Sequence, residues 1–246
     1  MLVMEDGFGF MSDLTQLLLL TLIAGLAMPA GALLARFEHL QSHWLELELR
    51  HSVMAFGGGA LLSAVALVLV PEGIAELSPW LACCCFIGGA LLFMALDIWL
   101  ARQQSPASQL TAMLADFLPE SMALGASLAA GGPHAFLLAL LITLQNIPEG
   151  FNAFREIRQS KQHSAFAICV SFTLMALLGP VAGLIGYFVL AEHPAMLGGI
   201  MLLAAGGILY SVFQDIAPQV RLKQHWSPPL GAVAGFMLGM LGYMYS

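Results

Sequence analysis

The amino-acid sequence predicts an all-α membrane protein of eight transmembrane helices, with the N-terminus and the C-terminus both outside the cytoplasm. Three observations carry that expectation. The first is composition. Of 246 residues, 59% are hydrophobic and 9% charged, whereas soluble domains carry roughly a quarter charged residues. So few charges cannot cover a water-facing surface. The second is block length: the apolar residues come in runs of about twenty, the length that spans a bilayer as a helix. In hydrocarbon every backbone polar group must be bonded within the protein, which makes those runs helices. A barrel would read as short alternating segments, and the sequence has none. The third is the distribution of basic residues along the chain.

In order, the spans are expected at about 14–35, 52–71, 80–100, 109–130, 135–155, 164–190, 195–219 and 229–245. The first run follows acidic residues and has spanning length, so it reads as a helix and not as a cleavable signal. The second ends at Pro71-Glu72-Gly73, and the third lies between Ser78-Pro79 and the polar stretch Gln103 to Ser108. Gly131-Gly132-Pro133 separates the fourth from the fifth. The sixth closes at Glu192-His193-Pro194, and the eighth opens after Ser227-Pro228-Pro229. Such Pro/Gly and polar punctuation marks turns. With short loops throughout, residues 1–246 read as a single polytopic membrane domain.

The basic residues set the orientation. Arg36, Arg50, Arg102, Arg155, Arg158, Lys161, Arg221 and Lys223 all fall at the loops between helices 1–2, 3–4, 5–6 and 7–8. The other loops and both ends carry acids instead: Glu5, Asp6, Glu72, Glu76 and Glu192. Basic loops stay cytoplasmic, which places both termini on the opposite side. The longest connection, Arg36 to His51, contains Phe37, Leu40, Trp44 and Leu47 and reads as partly helical and interfacial.

Ionisable residues inside a span are costly and mark function by default. Helix 4 contains Asp116, Pro119 and Glu120; helix 5 contains Gln145, Pro148 and Glu149. In each helix the two polar side chains are four apart and share one face. The short connection between the helices makes them antiparallel neighbours, which sets Glu120 near the level of Gln145 and Asp116 near Glu149. Three carboxylates cannot all stay ionised in a low-dielectric site without a counter-charge. They hold protons or they hold a cation, and oxygen ligands of this kind suit a divalent metal. Each proline also frees a carbonyl beside the polar face, as in the broken helices of many transporters.

These residues resemble the ZIP (Zrt/Irt-like) family of divalent metal transporters. Gln145-Asn146-Ile147-Pro148-Glu149-Gly150 looks like the family's fifth-helix motif, and Leu118-Pro119-Glu120-Ser121-Met122-Ala123-Leu124-Gly125 like its fourth. Gly57 to Glu72 is similar to its second helix, and Gly206 to Pro218, with Asp215, to its seventh. The resemblance implies a metal site between helices 4 and 5 and alternating access. Carried over residue by residue, the metal ligands are Asp116, Glu120, Gln145 and Glu149, with Asn146 beside them. The family's second site uses an Asn on helix 4 and a Glu on helix 6. This chain has Phe117 and Gly179 there, so one metal site is expected. Asp116 stands where the family often has His, a harder ligand that moves preference from zinc and copper towards manganese or iron(II).

The function expected is transport of a divalent metal of the zinc, iron or manganese class towards the cytoplasm, in a bacterial inner (plasma) membrane, without enzymatic activity. No prosthetic group is expected, because the metal is the cargo. The partners are the metal ion and the lipid bilayer. Nucleic acid is not among them, and a homodimer is open. Two other readings stay open: a membrane metal sensor without transport, and an intramembrane metal-dependent hydrolase using the same cluster to activate water. Other features read as secondary. His39 and His43, with Glu46, have helical metal-ligand spacing in the first cytoplasmic loop. Asn152 and Glu156 extend the helix 5 stripe towards an exit, and Ser127 lies at the outer approach. Asp97 and Asp215 are expected to pair with Arg102 and Arg221, and Cys83, Cys84, Cys85 and Cys169 to be buried hydrophobes.

Overall fold

A computed structural model describes residues 2–37, 43–103, 106–131, 134–159, 163–220 and 226–245, and every regular element among them is helical. Eight rods result. They are α1 (Leu2–Phe37), α2 (43–75), α3 (Pro79–Gln103), α4 (Pro106–Ala129), α5 (Ala135–Gln159), α6 (165–190), α7 (194–219) and α8 (Ser227–Tyr245). Three rods change pitch along their length: α2 at Val65–Leu69, α6 at Gly186–Leu190 and α7 at Val212–Ile216 pass through π-helical turns. Each expected span falls on one rod, with ends differing by a residue or a few turns.

Among the described residues, five segments are long and apolar enough to cross a membrane: Asp13–Phe37, Glu48–Ala75, Pro79–Arg102, Ala165–Leu190 and Pro194–Ile216. The protein is therefore a helical membrane protein. The rods α4, α5 and α8 fall short of that measure for identifiable reasons. The first two carry the intramembrane polar groups. The third has 19 residues and spends several on Pro228, Pro229 and glycines.

Glycine sets the helix pairing. A Cβ on Gly150 of α5 would run into the Met28 carbonyl of α1, and one on Gly31 of α1 into the Ile147 carbonyl of α5. The same reciprocal contact, backbone against backbone, joins α2 to α8, α3 to α7 and α4 to α6. Lipid is as apolar as leucine, so helices in membranes associate through close packing of small residues. The buried core comprises Met28, Leu69, Phe117, Leu138, Ile142, Phe172 and Ile208, among others. Large apolar side chains such as Leu19, Ile23, Leu92, Phe166 and Leu174 face outward, where hydrocarbon solvates them. Trp80 and Trp226, both 85% exposed, stand at rod ends, the level at which indoles prefer the interface.

The turn after α4 is short. Gly131 adopts φ 65°, a left-handed conformation that glycine takes without a Cβ penalty, and its N–H bonds the Leu128 carbonyl at 3.1 Å. That conformation ends α4 sharply, and α5 begins at Ala135.

Candidate functional site

Pro119 and Pro148 lie inside α4 and α5, which run on as helices through them. Around these prolines the polar face of each helix turns inward. Glu120 is fully buried and Gln145 is 1% exposed. The Gln145 Nε2 donates to Glu120 Oε2 at 2.6 Å, a bond that crosses from α5 to α4. Glu149 lies within electrostatic reach of both Asp116 and Glu120, and Asp116 within reach of Asp215 on α7. The structure thus brings Asp116, Glu120, Gln145 and Glu149 to one place between the two helices.

That bond does not satisfy the cluster. Asp116 Oδ1, Glu120 Oε1, Gln145 Oε1 and the Ser121 hydroxyl oxygen are all buried without a hydrogen-bond partner. Leaving such a group unsatisfied costs about 1–3 kcal/mol, more for a charged one, so buried polar atoms almost always find partners. Three of these orphan oxygens, on Asp116, Glu120 and Gln145, belong to the linked cluster and are of the hard type that a divalent cation takes. The set is mixed. Among the described residues no group of three or more His, Cys, Asp or Glu is gathered tightly enough to hold a metal ion. The grouped donors are carboxylates and an amide.

Asn146, 1% exposed, turns the other way. Its Nδ2 donates to the Ala24 carbonyl of α1 at 2.9 Å, which ties α5 to α1 beside the cluster. Phe117 and Gly179, the two departures from the ZIP pattern, meet each other. The Phe117 ring is fully buried, and a Cβ on Gly179 would lie 2.5 Å from its Cζ and 2.9 Å from the Thr21 carbonyl. The ring fills the space that the missing side chain on α6 leaves.

Beside Glu149 a small, mostly apolar cleft of about 40 Å³ lies between α2, α5 and α7, lined by Glu149, Asn152, Met54 and Ile216 among others. Asn152 also accepts from Arg50 Nε at 3.4 Å. Asp215 is exposed and lies within electrostatic reach of Asp97 and Glu156. Asp97 accepts a bond from the Tyr210 hydroxyl at 3.2 Å, and Arg221 lies outside the described residues. Ser127 is 6% exposed. The His39, His43 and Glu46 side chains lie outside the described part. The four cysteines are free; Cys83 and Cys84 are exposed on the lipid-facing α3 and not buried as expected.

Fold and site together define a helical membrane protein with a buried, oxygen-rich polar cluster between two antiparallel helices. No family model matches the chain. It is similar to the zinc transporter ZupT of Chlorobium phaeovibrioides (strain DSM 265 / 1930), at 24% identity covering 95% of this chain and 99% of that protein.

Proposed function

We propose that the protein transports divalent metal ions of the zinc, iron or manganese class towards the cytoplasm, as a divergent ZIP-type transporter. The observation that carries this reading is the set of orphaned buried oxygens on Asp116, Glu120 and Gln145. A passing cation supplies what each of them lacks. Glu120, held by Gln145, and Glu149, which borders the cleft, act as the charged ligands. Asp116 completes the donor set, and Asn146 braces α5 against α1. Full-length similarity to a protein named as a zinc transporter and the resemblance of the helix 4 and 5 motifs point the same way. Asp116 in place of a nitrogen ligand favours manganese or iron(II). With the Phe117 ring against Gly179, the site takes one metal ion. All eight rods cross the bilayer as one membrane domain of the bacterial inner membrane, with both termini outside.

The test is flux into proteoliposomes, with manganese, iron(II), zinc and cadmium presented in turn and Glu149→Ala and Glu120→Ala as controls. The expected result is uptake by the parent protein that falls at least about tenfold, towards the protein-free background, in both variants. Equal uptake by variant and parent overturns the site. Cation binding without flux of any ion, by protein that is folded and inserted, turns the reading to a membrane metal sensor.

A further inference from the structure

A second feature lies apart from the polar cluster. Between the C-terminal end of α1, the N-terminal half of α2 and the outer face of α5 runs a cleft of about 470 Å³, within the size range of sites that bury a small organic molecule, roughly 300–1,000 Å³. Its walls are Leu33, Leu34 and Phe37 of α1, Val53 of α2, and Ile147 and Phe151 of α5. Leu33, Leu34 and Phe37 are 43%, 58% and 67% exposed, so the cleft opens to the surroundings of the helix bundle, which are lipid. A void lined by alkyl and aromatic groups takes an alkyl occupant.

One end of this apolar cleft is cationic. Among the described residues, Arg50 is the single charged one in its lining. The Arg36 guanidinium carbon stands 5.6 Å from the centre of the Phe37 ring. That of Arg155 stands 5.8 Å from the centre of the Phe151 ring. Both distances are within the range of cation–π contact, and both rings are cleft walls. One guanidinium therefore lines the apolar slot and two more, from two other helices, stand against its aromatic walls, and no carboxylate lines it among the described residues. Guanidinium is planar and presents paired donors that match phosphate oxygens. Arg36 stands at the C-terminal end of α1, Arg50 two turns into α2 and Arg155 in the last turns of α5, so all three lie towards the rod ends on one side of the bundle, the level at which long basic side chains reach headgroups.

We propose that this cleft is a binding site for an anionic phospholipid of the leaflet on the Arg36–Arg50 side. One acyl chain fills the slot and the phosphate is held by Arg36, Arg50 and Arg155. Charge complementarity selects this occupant: a neutral alkyl ligand has no use for three cations, and a soluble anion has none for the apolar walls. Basic pockets between transmembrane helices on one face of a membrane recognise anionic headgroups in this way. The α5 wall, Ile147 and Phe151, brackets Glu149 in sequence, so the lipid backs the helical turn that carries a proposed cargo ligand. The site itself does not depend on the identity of the cargo.

The experiment is native mass spectrometry of the full chain released from nanodiscs containing equal parts phosphatidylglycerol and phosphatidylcholine. The expected result is about one retained phosphatidylglycerol per chain, with at least a fivefold preference over phosphatidylcholine. The double variant Arg36→Gln/Arg155→Gln, which leaves the Arg50–Asn152 bond intact, loses most of that preference, and Arg36→Lys/Arg155→Lys keeps part of it. Val53→Trp, which fills the slot, lowers retention of both lipids. Equal retention of the two lipids by the parent protein overturns the proposal, as does an unchanged preference in the double Gln variant. If Val53→Trp splits a dimer into monomers without changing lipid retention, the cleft is an interface between copies of the chain and the lipid site is likewise overturned. Helical content and elution volume matching the parent are required of each variant, and the Lys pair stands in where the Gln pair does not fold.

Discussion

The pair Glu120–Gln145 determines what single substitutions do. Glu120→Gln is nearly isosteric and still accepts from the Gln145 amide, so the fold survives while one anionic ligand is lost. We expect thermal stability in detergent close to the parent and cation affinity lower by at least tenfold, about 1.4 kcal/mol, measured by isothermal titration with manganese and zinc. Gln145→Leu acts differently. It removes the donor at 2.6 Å from Glu120 Oε2 and leaves a second oxygen of that buried carboxylate orphaned. Its expected signature is a stability loss of about 1–3 kcal/mol in addition to weakened binding. Protons compete for the same oxygens, and a protonated carboxylate is a poor ligand. Cation affinity therefore falls as pH falls, and Glu120→Gln, with one fewer group to protonate, shows a shallower dependence. This pairing was legible in the sequence, because two i, i+4 pairs on helices joined by four residues leave little freedom of depth. The bonds Tyr210–Asp97 and Arg50–Asn152 join positions 113 and 102 apart in the chain without a motif on either side, and nothing local announces them.

Phe117 and Gly179 show how two substitutions that look unrelated in sequence are one packing event. Read alone, each removes a ligand. In the structure the ring occupies the room beside the glycine. Gly179→Ala forces the ring and the α6 backbone apart, with an expected cost of about 1–3 kcal/mol as overpacking. In a Phe117→Ala background the part of that cost due to the ring disappears. A double-mutant cycle on thermal unfolding then yields a coupling energy of at least about 0.5 kcal/mol; additive effects would show that the two residues do not share a space.

At the scale of elements, the contrast between neighbouring glycines is the sharpest test of the packing. A Cβ on Gly89 would enter the Leu203 carbonyl, whereas one on Gly88 would meet only the end of the Leu203 side chain at 3.6 Å, an ordinary contact. Gly89→Ala is therefore expected to weaken the α3–α7 crossing by about 1–3 kcal/mol. Gly88→Ala is expected to be neutral or to stabilise by about 0.5–1 kcal/mol through helix propensity. Melting temperatures of the two variants, side by side, check this. The helices were readable from the sequence because hydropathy and length set them. Their pairing was not. The chain holds 25 glycines, and which of them meets a facing backbone depends on helix rotation, which block length does not encode. The π-helical turns escape for a related reason: an i to i+5 bond leaves no mark in an apolar run such as Val65–Leu69.

At the scale of the molecule, the question is which rods cross the bilayer. Hydropathy alone admits five segments among the described residues, and five crossings would put the termini on opposite sides. Packing argues for the remaining three. α5 lies against α1 and α2, with Gln145, Asn146 and Pro148 buried, so the groups that lower its hydropathy face protein and not lipid. α4 is enclosed in the same way by α6 and α1. α8 packs along the length of α2 through Gly231, Gly235 and the facing Gly59, and a partner that follows a spanning helix over its length shares its depth. Eight crossings also keep all eight basic residues on one side. The expected outcome is that epitope tags fused before Met1 and after Ser246 are both cleaved by protease added to intact, right-side-out vesicles. A tag placed between Lys161 and His163 should be cleaved only once the vesicles are inverted. Protection of one terminal tag with cleavage of the other would mean an odd number of crossings, and the packing argument would fail for at least one of α4, α5 and α8.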